Sequence, residues 1–287
     1  MTVLLLALLM ANGFQLEKCR AVITGASGGL GAEFARQLAP HADTLVLVAR
    51  RAEALEMVKQ ELSSFNATIL CCVADLATDA GRNEVMTFLE THDVRPNLLI
   101  NNAGLGDYGS FASSTAEKTR TQIELNITAL TMLTHALLPL LCESAGNHAL
   151  ASMATAGVLN VSSLASMLPM PDLAVYAASK SYVTSFSEAL AIEMAPKNVI
   201  VSCVCPGPTP TNFSQTAKRE DGTDTNREGQ SLLRIPPSEV VSRALMALQQ
   251  REACVFPGVG VSIAGRLFRL MPRSVMRWLL KRRHGKE

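Results

Sequence analysis

The chain has 287 residues, with 26 Lys and Arg against 25 Asp and Glu, for a formal net charge of +1. Its 48% hydrophobic and 18% charged residues exclude an intrinsically disordered chain and are typical of a globular protein with a large core. The seven cysteines form no CxxC pair and no His/Cys cluster with metal-ligand spacing, so no metal site is expected. The odd cysteine count, without a secretory signal, indicates a reducing compartment.

The N-terminus carries an unbroken apolar run from Val3 to Ala11, and no Lys or Arg precedes Lys18. The run is shorter than the roughly 20 residues of a membrane-spanning helix and lacks the basic start of a secretory signal. Three interpretations stay open: a helix against the protein or a membrane surface, a disordered tail, or an over-long gene model. Residues 1–19 are therefore treated as an apolar extension.

Strand-like and helix-like segments alternate from residue 20 to residue 256. Apolar runs rich in β-branched residues lie at 21–24, 44–48, 68–73, 98–100, 158–161, 199–204 and, more weakly, 253–256. Helix-like stretches lie at roughly 30–39, 52–64, 78–91, 114–143, 174–195 and 237–250. Such alternation predicts an α/β fold, a Rossmann-like doubly wound parallel sheet of about seven strands in a single domain. Its ligand site is expected at the carboxyl ends of the strands, with the polar stretch 215–230 as a loop over it.

The C-terminus forms a basic amphipathic extension, residues 257–287. From Arg251 onward the chain has nine Lys/Arg and two Asp/Glu, and Pro272 is expected to separate two short helices. Two interpretations stay open: terminal helices packed on the domain with a solvated charged face, or helices that bind anionic membranes or acidic ligands.

A glycine-rich turn, Thr24-Gly25-Ala26-Ser27-Gly28-Gly29-Leu30-Gly31, follows the first strand. Glycines permit a tight turn and let the backbone approach a pyrophosphate, which a following helix N-terminus favours electrostatically. The position of the turn, after the first strand of an alternating pattern, predicts a nucleotide site.

Tyr176 and Lys180 are four residues apart, and Ser163 lies thirteen residues before the tyrosine. Residues at this spacing share a helix face, so the ammonium can lie beside the phenol and lower its pKa. A phenol tuned in this way can exchange a proton near neutral pH. Taken alone, the pair is more readily explained as two residues on a solvated helix face.

In combination these motifs resemble the short-chain dehydrogenase/reductase family, in the form with a TGxxxGxG turn and a YxxxK site. The resemblance covers residues from about 20 to 255, and the remaining motifs follow in the family's order: Asn101-Asn102-Ala103-Gly104 after the fourth strand, Asn126 in a helix, Asn160-Val161-Ser162-Ser163 at the fifth strand, and Pro206-Gly207-Pro208-Thr209 with Thr211 after the sixth. Residues 142–156 form a longer link than is usual in the family.

The resemblance implies a mechanism and a set of cofactor contacts. Tyr176 would protonate a carbonyl oxygen as hydride arrives from a nicotinamide, and Ser163 would hydrogen-bond the same oxygen. Lys180 would lower the tyrosine pKa and bind the nicotinamide ribose, and Asn126 would hold a water that links Lys180 to solvent. The implied cofactor contacts are Gly25, Ser27, Gly29, Leu30, Gly31, Asp75, Asn102, Ala103, Gly104, Tyr176, Lys180, Pro206, Gly207, Thr209 and Thr211.

NADP(H) is the expected cofactor rather than NAD(H). Where NAD enzymes place an acid at the end of the second strand, this chain has Ala49, followed by Arg50 and Arg51, which suit a 2′-phosphate. The basic residue that NADP-dependent relatives often carry in the glycine turn is replaced by Gly28.

The apolar residues Leu164, Met167, Leu168, Met170 and Leu173 flank the site and predict a lipophilic carbonyl or alcohol substrate, of a 3-oxoacyl, steroid-like or similar kind. The alternatives are a catalytically silent NADP-binding sensor and a membrane-surface interaction protein on the same scaffold. The resemblance implies a homodimer or homotetramer paired through the helix at 174–195. We expect a cytoplasmic protein with no nucleic-acid partner and at most peripheral membrane contact through its termini.

Overall fold

The computed structural model describes residues 13–146, 156–211, 213, 217 and 233–284. Within these residues seven parallel strands form one sheet in the order β3-β2-β1-β4-β5-β6-β7. The strands are β1 (Cys19–Thr24), β2 (Ala42–Ala49), β3 (Thr68–Val73), β4 (Leu98–Asn101), β5 (Ala156–Val161), β6 (Val199–Val204) and β7 (Cys254–Val255).

Helices connect the strands and cover both faces of the sheet. They are α1 (Gly29–Leu38), α2 (Ala52–Glu61), α3 (Asp79–Thr91), α4 (Ala116–Ile123), α5 (Leu130–Gly146), α6 (Ala174–Met194), α7 (Pro237–Gln249), α8 (Val259–Leu270) and α9 (Arg273–His284). The predicted doubly wound α/β fold is thus confirmed, and Pro272 separates the last two helices as expected.

The order of the strands creates a crevice at the carboxyl edge of the sheet. Strands β2 and β3 lie on one side of β1, and β4 to β7 lie on the other side. The loops that follow β1 and β4 therefore run in opposite directions and leave a crevice between them. Ligands of doubly wound sheets bind at such a switch point. The glycine turn follows β1 and therefore lies there.

Two hydrophobic clusters form the core, one on each face of the sheet. One gathers α1, α2 and α7 around fully buried side chains such as Phe34, Leu38 and Val240. The other gathers α3, α5 and α6 around Leu89 and Leu137. Both faces of the sheet are covered, which explains why the strand sequences are continuously apolar rather than alternating between apolar and polar residues.

One described segment, Ala116–Gly146, is long and apolar enough to cross a membrane by length and composition. Its inner face packs into the second core cluster through Leu133, Leu137 and Leu141, which are at most 1% exposed. It is therefore a core helix of this domain, and its apolar character reflects burial against the sheet.

The main differences from the sequence-based segment boundaries lie in the helix expected at 114–143 and at the N-terminus. The helix expected at 114–143 is divided by a π-helical stretch, Glu124–Ala129, and it continues to Gly146. β1 begins at Cys19, and Phe14 is 1% exposed within the first core cluster, so residues 13–19 pack on the domain rather than extend from it. The run 3–11, the link 147–155 and nearly all of the loop 215–230 lie outside the described residues.

Candidate active site

The glycine turn after β1 has the backbone geometry of a phosphate-binding loop. Gly25 and Gly29 adopt φ values of 66° and 54°, a region that side chains disfavour. A β-carbon on Gly31 would lie 2.2 Å from the Gly25 carbonyl oxygen, so only glycine lets α1 start this close to the turn. No side chain caps the N-terminus of α1, and the N–H groups of its first turn are left for an anion.

Thr24 ties the glycine turn to the loop after β4. Its Oγ1 accepts hydrogen bonds from the backbone N–H groups of Asn102, at 2.9 Å, and Ala103, at 3.0 Å. The Asn102 side chain returns a hydrogen bond to the Thr24 carbonyl at 2.9 Å. These bonds fix the two walls of the crevice to each other. Thr24 was missed as a site residue, although its place before Gly25 was the available signal.

Ser163 and Tyr176 meet at the carboxyl end of β5. The Ser163 hydroxyl accepts a hydrogen bond from the backbone N–H of Ala165 at 3.1 Å. Burial raises the pKa of Tyr176 to about 12, and the neighbouring Ser163 side chain opposes this rise. The Phe213 ring lies 5.4 Å from the tyrosine ring, centroid to centroid.

Lys180 is buried one helical turn beyond Tyr176. Its ammonium donates a hydrogen bond to the Val161 carbonyl oxygen at 2.8 Å and lies 5.8 Å from the centroid of the Tyr176 ring. Burial lowers the pKa of Lys180 to about 8. The tyrosine pKa is thus raised rather than lowered as expected, because desolvation of the phenol is the dominant effect and the ammonium is directed at the strand carbonyl.

Asn126 lies in the π-helical stretch, which turns its side chain into the crevice. Its amide nitrogen donates to the Leu105 carbonyl at 2.9 Å and to the Ser179 hydroxyl at 3.0 Å, and its oxygen accepts from the Leu105 N–H at 2.8 Å. Single π-helical turns occur often at functional sites because they redirect a side chain without ending the helix. No pattern in the sequence predicted this π-helical turn.

Gly104 explains how Asn126 and Lys180 approach each other. A β-carbon at Gly104 would lie 3.4 Å from both the Asn126 amide oxygen and the Lys180 ammonium. Ser179, which the sequence reasoning also missed, links Asn126 to the catalytic helix because its hydroxyl donates to the Tyr176 carbonyl at 2.8 Å. The predicted residues Asn126, Tyr176 and Lys180 are therefore brought together.

The two arginines after β2 occupy different places. The Arg51 guanidinium lies 3.3 Å from the Ser27 hydroxyl and 3.4 Å from the Ser27 carbonyl, over the glycine turn. It is also the nearest group, at 3.9 Å, to a β-carbon built on Gly28. The Arg50 guanidinium instead lies 3.9 Å from a carboxylate oxygen of Asp75. Arg51 therefore supplies a cation at the turn where the expected basic residue is missing.

The loop after β6 closes the other side of the crevice. The Pro206 carbonyl accepts a hydrogen bond from Leu164 N–H at 2.8 Å, which joins this loop to the end of β5. The Thr211 side chain comes within 3.4 Å of a β-carbon built on Gly29, so the loop reaches the glycine turn. The Thr209 hydroxyl donates to the Gly207 carbonyl at 3.1 Å and shapes the loop locally.

Some of the remaining predicted residues pack in the hydrophobic core, and others stay partly exposed near the crevice. Leu30 packs against the first core cluster at the start of α1. Leu164 and Leu173 are buried and Met167 packs against a small cluster near β6, while Leu168 and Met170 stay partly exposed. Among the described residues, no group of three or more His, Cys, Asp or Glu side chains is placed to hold a metal ion.

Comparison with known proteins identifies the family. The family described as short chain dehydrogenase matches residues 20–222. This chain belongs to that family. It is 31% identical over 275 residues to dehydrogenase/reductase SDR family member 7B of Bos taurus, covering 87% of this chain and 79% of that protein. It is 33% identical over 193 residues to very-long-chain 3-oxoacyl-CoA reductase of Candida glabrata, covering 64% of this chain and 54% of that protein.

Solved structures of the family agree with the fold. A short-chain dehydrogenase from Sphingobium yanoikuyae in complex with NADPH is 29% identical, with a TM-score of 0.73 over 92% of this chain and 95% of that one. The 3-ketoacyl-(acyl-carrier-protein) reductase of Brucella melitensis complexed with NADH is 26% identical, with a TM-score of 0.72 over 85% of this chain and 98% of that one. The chain is thus a Rossmann-fold member of an oxidoreductase family whose solved structures include complexes with NADPH and with NADH.

The lowered pKa of Lys180 makes stability depend on pH in a defined direction. Between the folded pKa of about 8 and the ordinary lysine value of 10.5, the unfolded lysine still binds a proton that the folded one has lost. The contribution of Lys180 to the free energy of unfolding therefore rises with pH across this window, by roughly 2 kcal/mol between pH 8 and pH 10. Denaturant titrations should show this rise as a pH-dependent difference in unfolding free energy between the wild-type protein and Lys180→Met.

The control for that measurement is Lys59→Met on α2, which also removes an ammonium but leaves the buried site intact. It should keep the pH dependence of the wild-type protein. An equal pH slope in the wild-type protein and Lys180→Met would show that the buried lysine is not the titrating group.

Proposed function

We propose that the protein is an NADP(H)-dependent oxidoreductase that interconverts a carbonyl and a secondary alcohol on a lipophilic small molecule. The observation that carries the proposal is the placement of the Ser163 and Tyr176 side chains next to each other in the crevice, with the Lys180 ammonium one helical turn away. A silent binding protein would have no use for a buried phenol, hydroxyl and ammonium held together in this way.

Tyr176 acts as the proton donor in carbonyl reduction. With a pKa of about 12, its phenol is protonated at neutral pH and can donate a hydrogen bond to a carbonyl oxygen. Ser163 holds the same oxygen from a second direction and stabilises the negative charge that develops on it. When bound, the nicotinamide supplies or accepts the hydride at the carbonyl carbon.

Lys180 keeps a positive charge beside the tyrosine at neutral pH, since its pKa of about 8 lies above that range. The ammonium stabilises the phenolate that remains after proton transfer. Asn126 lies next to Lys180 across Gly104, where its amide can order a water that returns a proton towards the tyrosine. Val161 holds the ammonium in place for both roles.

The residues present fit a dinucleotide. The uncapped N-terminus of α1 and the left-handed glycines suit the pyrophosphate, and the loops after β4 and β6 line the path towards the tyrosine. Arg51 at the turn and Arg50 beside it are placed to bind a 2′-phosphate, and no acid stands at Ala49 to accept the ribose hydroxyls of NAD(H).

A lipophilic substrate is supported by the side chains around the phenol. The Phe213 ring lies tilted against the Tyr176 ring, and Tyr108 lies close enough to influence the phenol electrostatically. Leu168 and Met170, after the turn that follows Ser163, are only partly buried. The similarity to a very-long-chain 3-oxoacyl-CoA reductase favours an acyl-chain or similarly apolar carbonyl compound.

Tyr176→Phe should abolish catalysis without removing the cofactor site. The variant keeps the ring but loses the hydroxyl that donates the proton, so turnover of a lipophilic ketone should fall roughly 10²-fold or more. The dissociation constant for NADPH should change little. The measurement is a ketone panel followed by NADPH absorbance, with fluorescence titration of the cofactor.

Tyr182→Phe is the matched control, because it removes a phenol hydroxyl from the same helix at a contact with Thr131 outside the crevice. It should turn over like the wild-type protein. Wild-type turnover in Tyr176→Phe would disprove the mechanism. Absence of turnover in every form, with tight NADPH binding, would favour the silent sensor.

The wild-type protein should bind NADPH at least tenfold more tightly than NADH. Charge-assisted hydrogen bonds to a phosphate contribute about 1.5–3 kcal/mol, which corresponds to tenfold or more in affinity. Arg51→Ala should lose most of this preference and Arg50→Ala part of it, whereas Arg95→Ala, an exposed arginine outside the crevice, should keep it. Equal dissociation constants for the two cofactors would contradict the proposal.

We also propose that the protein is a cytoplasmic homodimer or homotetramer with no nucleic-acid partner. Support for assembly comes from apolar side chains that stay exposed on the long helices, among them Ile123, Met132 and Ile192, with Ile192 77% exposed. All seven cysteines are free thiols, which suits a reducing compartment, and subcellular fractionation tests that assignment.

Light scattering at micromolar concentration should give the mass of a dimer or tetramer. Ile192→Glu should lower that mass, because a carboxylate would then be buried at the interface through α6. Met57→Glu on α2, also exposed, is the control and should leave the mass unchanged. A monomeric wild-type mass would rule out the proposed assembly.

A further inference from the structure

The last two helices each expose a row of apolar side chains, which together we name the C-terminal stripe. Its members are Val259, Ile263, Leu267 and Leu270 on α8 and Val275, Trp278 and Leu279 on α9. Every member is at least 44% exposed, and Val259 and Leu270 reach 80% and 84%. Scattered exposed apolar residues are normal, but an ordered row of them marks an interaction surface.

The α8 part of the stripe is opposite the face that packs on the domain. Val259, Ile263, Leu267 and Leu270 recur at intervals of four, four and three, which places them on one side of a helix. Val261 is 1% exposed on the other side, and Gly265 is buried there. A β-carbon at Gly265 would come within 2.5 Å of the Phe256 ring, so the helix lies directly on that ring.

The stripe is held in a fixed position. Arg269 of α8 forms an ion pair with Glu188 of α6, and Met276 of α9 is 4% exposed. A β-carbon at Gly207 would lie 2.7 Å from Val261, which places α8 against the loop after β6. The apolar row is therefore a rigid part of the domain beside the proposed cofactor loop.

The charge around the stripe has one sign. Residues 259–284 include seven Lys/Arg and no Asp or Glu. The Arg282 guanidinium lies 4.4 Å from the centroid of the Trp278 ring, so a cation and an indole share one end of the surface. A partner for this surface must offer both apolar area and negative charge.

We propose that the C-terminal stripe docks the protein on an anionic lipid bilayer. Amphipathic helices with an apolar face, basic flanks and an interfacial tryptophan bind in the plane of such membranes. Each helix has 12 residues and is about 18 Å long, too short to cross a hydrocarbon core of about 30 Å, so the helices lie on the surface. A bilayer with acidic headgroups supplies the required apolar area and negative charge in one surface.

The single tryptophan of the chain provides a direct test, because it belongs to the stripe. The full-length protein is mixed with vesicles of phosphatidylcholine alone or of phosphatidylcholine with phosphatidylglycerol. With the anionic vesicles, Trp278 emission should shift to shorter wavelength and be quenched by lipids brominated on their acyl chains. High salt should weaken the binding.

Leu267→Glu combined with Leu270→Glu should reduce the vesicle partition coefficient at least tenfold. Both side chains are exposed, so the unfolding midpoint should stay that of the wild-type protein, which circular dichroism verifies. Met57→Glu combined with Met246→Glu is the matched control: it adds the same charge at exposed methionines elsewhere and should bind vesicles like the wild-type protein.

Three outcomes would overturn the proposal. One is a lack of quenching by brominated lipids in anionic vesicles, and another is equal binding to both vesicle types at all salt concentrations. The third is wild-type binding by the stripe variant, which would assign attachment to another part of the chain. A lower mass of the stripe variant in light scattering, without vesicle binding by the wild-type protein, would instead assign the stripe to contact between copies. None of these readouts depends on enzymatic turnover.

Discussion

The arrangement of the site depends on one buried charge, the ammonium of Lys180. A charge removed from water is costly unless polar groups surround it. Here the carbonyl at the end of β5 accepts its hydrogen bond, and Gly104 leaves space for it. The same helix that buries the lysine carries Tyr176 on its previous turn. The proton donor Tyr176 and the cation of Lys180 are consequently positioned by one helix, α6. The hydrogen bond from Lys180 to the Val161 carbonyl fixes how deep this helix face lies in the crevice.

A network of polar side chains beneath the site holds α6 in one position on the sheet. The Ser162 hydroxyl donates to the Lys180 carbonyl at 2.9 Å, and the Asn160 amide donates to the Ser187 hydroxyl at 2.8 Å. Asn101 on β4 donates to the Asn160 side-chain oxygen at 2.9 Å. The Asn101 side-chain oxygen is the one buried side-chain polar atom without a partner among the described residues. The other hydrogen bonds of the network restrict the core to one arrangement. The network therefore links β4, β5 and α6 at the depth where the catalytic side chains emerge.

Local sequence features were enough to predict the alternating fold and the residues of the crevice. The spacing of Ser163, Tyr176 and Lys180 depends only on a strand end and a helical turn, and both are local. The direction of the Lys180 ammonium and the pKa values depend on burial by distant segments, which no local pattern contains. For the same reason the sequence could not distinguish the two arginines after β2, whereas in the structure Arg51 lies over the glycine turn and Arg50 lies beside Asp75. The π-helical turn at Asn126 follows from packing against residues near Leu105 and Ser179.

The division of the site between β1 and β4 has a thermodynamic consequence. The glycine turn comes from the first half of the chain and the proton donor from the second, and Thr24 joins them across the switch point. Neither half alone contains a complete binding surface, so a dinucleotide has affinity for the whole folded domain and little for partly folded chains. By linkage, a ligand at a hundredfold excess over its dissociation constant stabilises such a domain by about 2.7 kcal/mol. For the NADP(H) site proposed above, the resistance of the protein to unfolding would then depend on the concentration of the cofactor.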